Sequence, residues 1–210
     1  MYENTFSSKL LSDAVTEFSK LPGIGKKTAL RLVLHLLNQD IEDVKFFGNS
    51  IIKLREDVKH CRICNNISDY EICEICSNTK RNSKLVCVVE NIKDVIAIEN
   101  TSQYNGVYHV LGGIISPLDG IGPNDLSIDL LENRLQSKNI EEIIFALNTT
   151  MEGETTCFYL NKKISKFDVT ISTIARGVAF GDDLEYTDEM TLGRSILNRI
   201  SYNTLNQQKI

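Results

Sequence analysis

The segment Cys61-Arg62-Ile63-Cys64-Asn65-Asn66-Ile67-Ser68-Asp69-Tyr70-Glu71-Ile72-Cys73-Glu74-Ile75-Cys76 divides the chain into two regions of different character. Its spacing is C-x2-C-x8-C-x2-C, so two short backbone turns can each present a pair of thiolates to one tetrahedral ion. Zinc matches that donor set in softness and geometry. With four thiolate ligands and no open position, the site reads as closed and structural. The alternatives are two disulfides, a redox pair or an iron–sulfur cluster; a reducing cytosol disfavours the disulfides. His60 flanks the first cysteine as a surface residue, and so short a module needs the metal for much of its folding free energy. Cys87 and Cys157 fall inside apparent strand and helix runs, where a free cysteine behaves as a small hydrophobe, and they carry no assigned function.

Upstream, the pattern is helical. From Phe6, the residues Leu10, Leu11, Ala14, Val15, Phe18 and Leu21 recur every three or four positions, and Pro22 stops the run. A turn of Gly23, Ile24 and Gly25 leads into a second helix, Lys26 to Leu37, and a third is expected over 42–58, with Val44, Phe47, Ile51, Leu54 and Val58 on one face. Leu21 to Arg31, LPGIGKKTALR, therefore has the helix-hairpin-helix pattern, with Ala29 letting two helices approach closely. Two glycines bring the backbone close to a nucleic-acid phosphate, and amides at the next helix N-terminus can donate to its oxygens. Lys27 and Arg31, four residues apart, share a face and add charge to the same contact. The sequence-independent DNA-binding set is thus Gly23, Gly25, Lys26, Lys27 and Arg31. The competing reading is a tight interhelical turn with solvated lysines, and such hairpins also pair subunits.

Downstream, strands and helices alternate: strand 85–89, helix 93–100, strand 107–111, a Gly/Pro loop over 112–124, helix 126–135, strand 143–147, helix 155–163 and strand 169–174. That order predicts a mostly parallel sheet covered by helices.

The 210 residues carry a formal charge of −5, which argues against a generally basic nucleic-acid binder. The charge is uneven, however: residues 1–60 hold nine Lys or Arg against eight Asp or Glu, and Lys20, Lys26, Lys27 and Arg31 lie in a stretch free of acids. A local phosphate site is compatible with an acidic whole. The N-terminus, MYENTFSSKLL, lacks a basic stretch followed by a long apolar run, and no segment approaches a bilayer span, so a cytoplasmic protein is expected.

Glu90 at the end of the first downstream strand, and Asn148-Thr149-Thr150-Met151-Glu152-Gly153-Glu154 after a later one, resemble the Toprim fold of topoisomerases, primases and some nucleases. In catalytic members, the resemblance implies a Glu on the first strand and an Asp-x-Asp pair after the later one, together holding magnesium. Asn148 and Thr150 occupy the pair's two places, while the Glu-Gly-Glu found in type I topoisomerases remains at 152–154. Losing two carboxylates removes two of the site's charges, and phosphoryl transfer should go with them. Glu152 and Glu154 then read either as a solvated rim or as a docking site for a partner.

In order, LPGIGKKTALR, the four-cysteine insert, VCVVEN with KDVIAIE, YHVLGGIISPLDGIGP, NTTMEGETT and ARGVAFGDDLEYTDEMTLGRS give a chain that resembles the RecR family of bacterial recombination mediators along almost its whole length. Ala179 departs from the family's usual Pro, a difference confined to local turn geometry. The resemblance implies a ring-shaped homotetramer encircling DNA and acting with RecO and RecF to help load RecA at gapped or single-stranded DNA. It also implies DNA contact through Lys27 and Arg31 and one zinc ion per chain on Cys61, Cys64, Cys73 and Cys76. The acidic tail with Asp182, Asp183, Glu185, Asp188 and Glu189 reads as a solvated mixed-charge surface. No G-x-x-x-x-G-K-[ST] loop exists to cradle nucleotide phosphates.

The expected architecture is therefore an α+β multi-module protein: a helix-hairpin-helix domain (1–58), a four-cysteine zinc module (59–79), a Toprim-like α/β domain (80–176) and a C-terminal segment (177–210). The expected function is non-catalytic DNA binding in recombinational repair. Two other readings compete: a Toprim enzyme using Glu90, Glu152 and Glu154 around a metal, and an assembly scaffold whose partner holds most of the DNA.

Overall fold

A computed structural model describes residues 7–137, 139–179, 181–199 and 201; Phe6, Phe180 and the end of the tail beyond 201 lie outside the described residues. The chain divides after Val58 into two compact units.

The first unit is helical: α1 (Lys9–Ser19), α2 (Lys26–Leu37) and α3 (Ile41–Asp57). Ser8 caps α1 by accepting the Leu11 N–H. Pro22 does not itself end α1. The helix stops three residues earlier because the Lys20 and Leu21 amides turn back onto the Glu17 and Phe18 carbonyls. Val15, Ala29 and Val33 form the core between α1 and α2, and the methyl of Ala29, fully buried, is what lets the two helices close. The apolar stripe expected on the third helix is present but outward: no residue of α3 is buried.

The second unit opens with a two-residue antiparallel pair, β1 (Lys59–His60) with β2 (Ile67–Ser68), followed by α4 (Glu74–Ser77). Then come β3 (Asn82–Val89), α5 (Ile92–Asn100), β4 (Gly106–Val110), α6 (Ile128–Ser137), β5 (Glu142–Ala146), α7 (Met151–Ile164), β6 (Thr170–Thr173) and α8 (Glu189–Leu197). The four longer strands form an all-parallel sheet in the order β4-β3-β5-β6. Strand alternation sorts its two faces. Val86, Val88, Ile143 and Phe145 pack with Leu131, Leu135, Leu160 and Ile164 of α6 and α7, whereas Cys87, Val89, Tyr108 and Val110 pack with Val95 of α5. Helices cover both faces, which explains why β4 is buried at every position.

Two element boundaries differ from expectation for identifiable reasons. The helix expected over 155–163 begins four residues earlier, at Met151, because Thr150 is its N-cap: the Thr150 hydroxyl accepts the Gly153 N–H at 3.1 Å. Glu152 and Glu154 consequently sit in the first turn of α7, where the helix dipole favours negative charge. Gly153 is required there, since a Cβ would stand 2.0 Å from the Asn148 carbonyl oxygen. Likewise α6 begins at Ile128 rather than Leu126, because a 3-10 turn over Pro123–Asp125, capped by Asp125 on the Gly122 N–H, precedes it.

Candidate zinc centre and nucleic-acid interface

The sulfur atoms of Cys61, Cys64, Cys73 and Cys76 all lie within 4.8 Å of one another. A tetrahedral zinc with bonds of about 2.3 Å separates its sulfurs by roughly 3.8 Å, so the cluster fits one ion with little adjustment. Local structure produces the cluster. Asn65 adopts a left-handed conformation at φ 60°, which closes the first knuckle through the Asn65 N–H on the Cys61 carbonyl at 2.8 Å. The Cys73 amide donates to Cys61 Sγ at 3.3 Å and the Cys76 amide to Cys73 Sγ at 3.5 Å, the backbone donors that thiolate ligands need. Hydrogen bonds from the Cys64 and then the Cys76 thiol hold Cys73 well below the usual thiol range, while Cys64 is pushed up chiefly by its bond to Cys73. A cation bound by the four sulfurs takes the place of the protons they otherwise share. When bound, zinc supplies a structural cross-link between the two knuckles.

The zinc loop is sewn to the sheet. Val110 N–H donates to the Cys64 carbonyl at 2.8 Å, and Asn65 Nδ2 donates back to the Val110 carbonyl at 3.0 Å. Ile75, between the last two cysteines, packs against the clusters on both faces of the sheet. Neither contact could be found from cysteine spacing.

At the helical hairpin, Gly23 has φ 76°, a conformation that glycine adopts without strain, and Ile24 N–H closes the turn on the Leu21 carbonyl at 3.0 Å. Gly25 is the N-cap of α2 and no side chain caps that helix, so its first-turn amides are open to an external acceptor. Nothing lies within 4 Å of where a Cβ of Gly25 would stand, leaving room for close backbone approach. Lys26, Lys27 and Arg31 are exposed on α2, and none forms an ion pair among the described residues.

The Toprim-like site lies at the carboxyl ends of the parallel strands. Glu90 directly follows β3 and Asn148 follows β5, and Asn148 Nδ2 donates to Glu90 Oε2 at 2.9 Å. An amide therefore holds the first-strand carboxylate where a carboxylate pair would have called for a cation. Thr150 is spent as the α7 cap, and Glu154 is paired with Arg176, Oε1 to Nη1 at 2.5 Å. Glu152 is half-buried in the same turn. The Gly/Pro loop is anchored over α7 by Ile115 N–H donating to the buried Thr156 hydroxyl at 2.9 Å. Further along, Ala179 closes its turn without proline: its carbonyl accepts the Asp182 N–H at 3.2 Å.

A hairpin with open amides, a four-cysteine zinc centre and a parallel sheet of Toprim type with an amide in its carboxylate site define a zinc-containing α+β protein of nucleic-acid maintenance. Family comparisons agree segment by segment: the RecR helix-hairpin-helix matches residues 11–54, the RecR four-cysteine zinc finger domain 58–78, the Toprim domain 84–175 and the RecR C-terminal region 177–200. Recombination protein RecR of Bacteroides fragilis is 60% identical over 197 residues, covering 94% of this chain and 96% of that protein. Those of Bacteroides thetaiotaomicron and Flavobacterium johnsoniae are 61% and 58% identical over 92% and 94% of the chain, and over 95% and 96% of their own lengths. The chain belongs to the RecR family of recombination proteins, mediators of recombination in DNA repair, and it carries one structural zinc ion. No helix among the described residues is long and apolar enough to cross a membrane.

Proposed function

We propose that this chain is a non-catalytic, cytoplasmic mediator that holds DNA without regard to sequence and acts with RecO and RecF to help load RecA at gapped or single-stranded DNA. The observation that carries the DNA-binding part is the uncapped N-terminus of α2 behind Gly23, with Lys26, Lys27 and Arg31 exposed beside it. Gly23, Gly25, Lys26, Lys27 and Arg31 form the contact, which reads phosphate rather than base edges. The labour divides along the chain: 1–58 binds DNA and assembles subunits, 59–79 holds zinc through Cys61, Cys64, Cys73 and Cys76, and 80–176 docks partners, with 177–210 as a C-terminal segment. A homotetrameric ring suits the net charge of −5, because a protein that encircles DNA needs few phosphate contacts per subunit.

Chemistry supports the non-catalytic reading: Asn148 and Thr150 offer no anionic oxygen, and Asn148 occupies Glu90. Glu152 and Glu154, raised on the first turn of α7, serve as the docking point for RecO.

The test is binding of zinc-loaded protein to duplex and gapped DNA at two salt concentrations, with and without RecO. Salt-sensitive binding by the protein alone, strongly weakened in the Lys27→Ala/Arg31→Ala variant with zinc content intact, is the expected result. Binding only in the presence of RecO would favour the scaffold reading, and magnesium-dependent cleavage abolished by Glu90→Gln would overturn the non-catalytic one. Glu152→Lys with Glu154→Lys is expected to impair RecO binding while leaving assembly unchanged.

A further inference from the structure

Beside the amide-held Toprim site, the second unit contains a cleft of about 500 Å³ with Thr149, Ile174, Arg176, Gly177, Met190 and Arg194 on its walls. Its position is informative. Thr149 belongs to the loop after β5, Ile174 to Gly177 follow β6, and the opposite wall is α8. The carboxyl ends of parallel strands are where open α/β sheets take their ligands, and this volume lies within the range of small-molecule and nucleotide sites.

The charges in and around the cleft are distributed so that one guanidinium is left over. Glu90 is taken by Asn148 and Glu154 by Arg176. Asp188, the one carboxylate on the cleft wall among the described residues, is the N-cap of α8 and accepts the Thr191 N–H at 2.9 Å, so the helix start offsets its charge. Arg194 forms no ion pair among the described residues. Arg176 spends only one edge of its guanidinium on Glu154, and its Nε is buried with no hydrogen-bond partner among the described residues.

We propose that this cleft binds a phosphate group of a DNA strand, with Arg194 and Arg176 as its guanidinium ligands and Ile174 and Met190 as the apolar wall for the attached sugar. Guanidinium forks match the oxygens of a phosphate two at a time, and here they supply the positive charge that a magnesium ion supplies in a carboxylate-lined site. The choice of DNA over an acidic peptide rests on the proposed DNA-binding reading, under which the phosphates this chain meets are those of a DNA backbone. The affinity of the cleft for phosphate does not depend on that reading.

The experiment uses zinc-loaded full-length protein and a fluorescent, 5′-phosphorylated short oligothymidylate at low salt, in the Lys27→Ala/Arg31→Ala background so that the hairpin contributes little. Residual, salt-sensitive binding weakened at least fivefold by Arg194→Ala and partly restored by Arg194→Lys, at unchanged melting temperature, is the expected result. Equal binding with and without Arg194 overturns the proposal, as does a background variant that binds no oligothymidylate. Oligoglutamate bound in place of the oligonucleotide would overturn it in favour of an acidic-peptide site. Failure of the hairpin reading shows separately, as DNA binding that the Lys27/Arg31 substitutions leave unchanged.

Discussion

The amide of Val110 donates a 2.8 Å hydrogen bond to the carbonyl of Cys64, so the last residue of the buried edge strand β4 is fastened to a zinc-ligand knuckle. The return bond from Asn65 Nδ2 to the Val110 carbonyl makes the attachment reciprocal. Zinc is thereby coupled to the edge of the parallel sheet, not only to its own loop.

Chelation should accordingly destabilise the whole second unit. Urea unfolding followed by far-UV circular dichroism is expected to show a lower midpoint after zinc removal, with loss of sheet as well as loop signal. Asn65→Ala loses the bond to Val110 and a residue suited to φ 60°, a cost of about 1–3 kcal/mol with zinc content near one per chain. An unchanged midpoint on chelation would mean the knuckle and the sheet are uncoupled.

Gly23→Ala places a Cβ on a residue at φ 76°. The strain should cost about 1 kcal/mol in stability and distort the amides behind it, weakening DNA binding across all sequences. Lys27→Ala alone should instead keep stability within about 0.5 kcal/mol and lower the slope of log K against log salt by about one. Competition binding at four salt concentrations distinguishes the two behaviours.

Asn148→Asp would set a second carboxylate at hydrogen-bond distance from Glu90. Like charges so placed repel and lose the amide donor, so a fall of about 1–3 kcal/mol is expected in metal-free buffer. Magnesium should restore part of it. Melting temperatures of wild type and variant with and without magnesium chloride test this, and a magnesium response of equal size in both would refute it.

His109 is fully buried on β4, its Nε2 2.8 Å from the Ser127 carbonyl and its Nδ1 without a partner among the described residues. Burial pushes its pKa down to about 4, helped by the charge of Arg134 and opposed by the bond to Ser127. The unfolded chain, with an ordinary value near 6.5, binds the proton first, so stability falls as pH drops through about 6.5 toward 4, by roughly 3 kcal/mol in total. His109→Leu should flatten the pH dependence of the urea midpoint relative to wild type at matched zinc content. An unaltered slope would show that His109 is not the titrating group.

Local chemistry made several parts of this protein legible in sequence. Cysteine spacing located the zinc ligands, because each C-x2-C pair is closed by its own short turn. The second helix, Lys26–Leu37, coincides with its apolar period, because Ala29 and Val33 must meet α1. The neutral character of Asn148 and Thr150 was legible too, because charge is a property of the side chain itself. Tertiary structure decided what depends on distance between residues far apart in the chain. It brought Asn148 to Glu90 across 58 positions and Arg176 to Glu154, and it placed Arg194 across a cleft from the ends of β5 and β6. It joined Cys64 to Val110 and began α7 at Met151 by assigning Thr150 to a cap. Hydrophobic periodicity records which face of an element is covered, but pairings between polar groups are set by strand order and register, which no local pattern encodes.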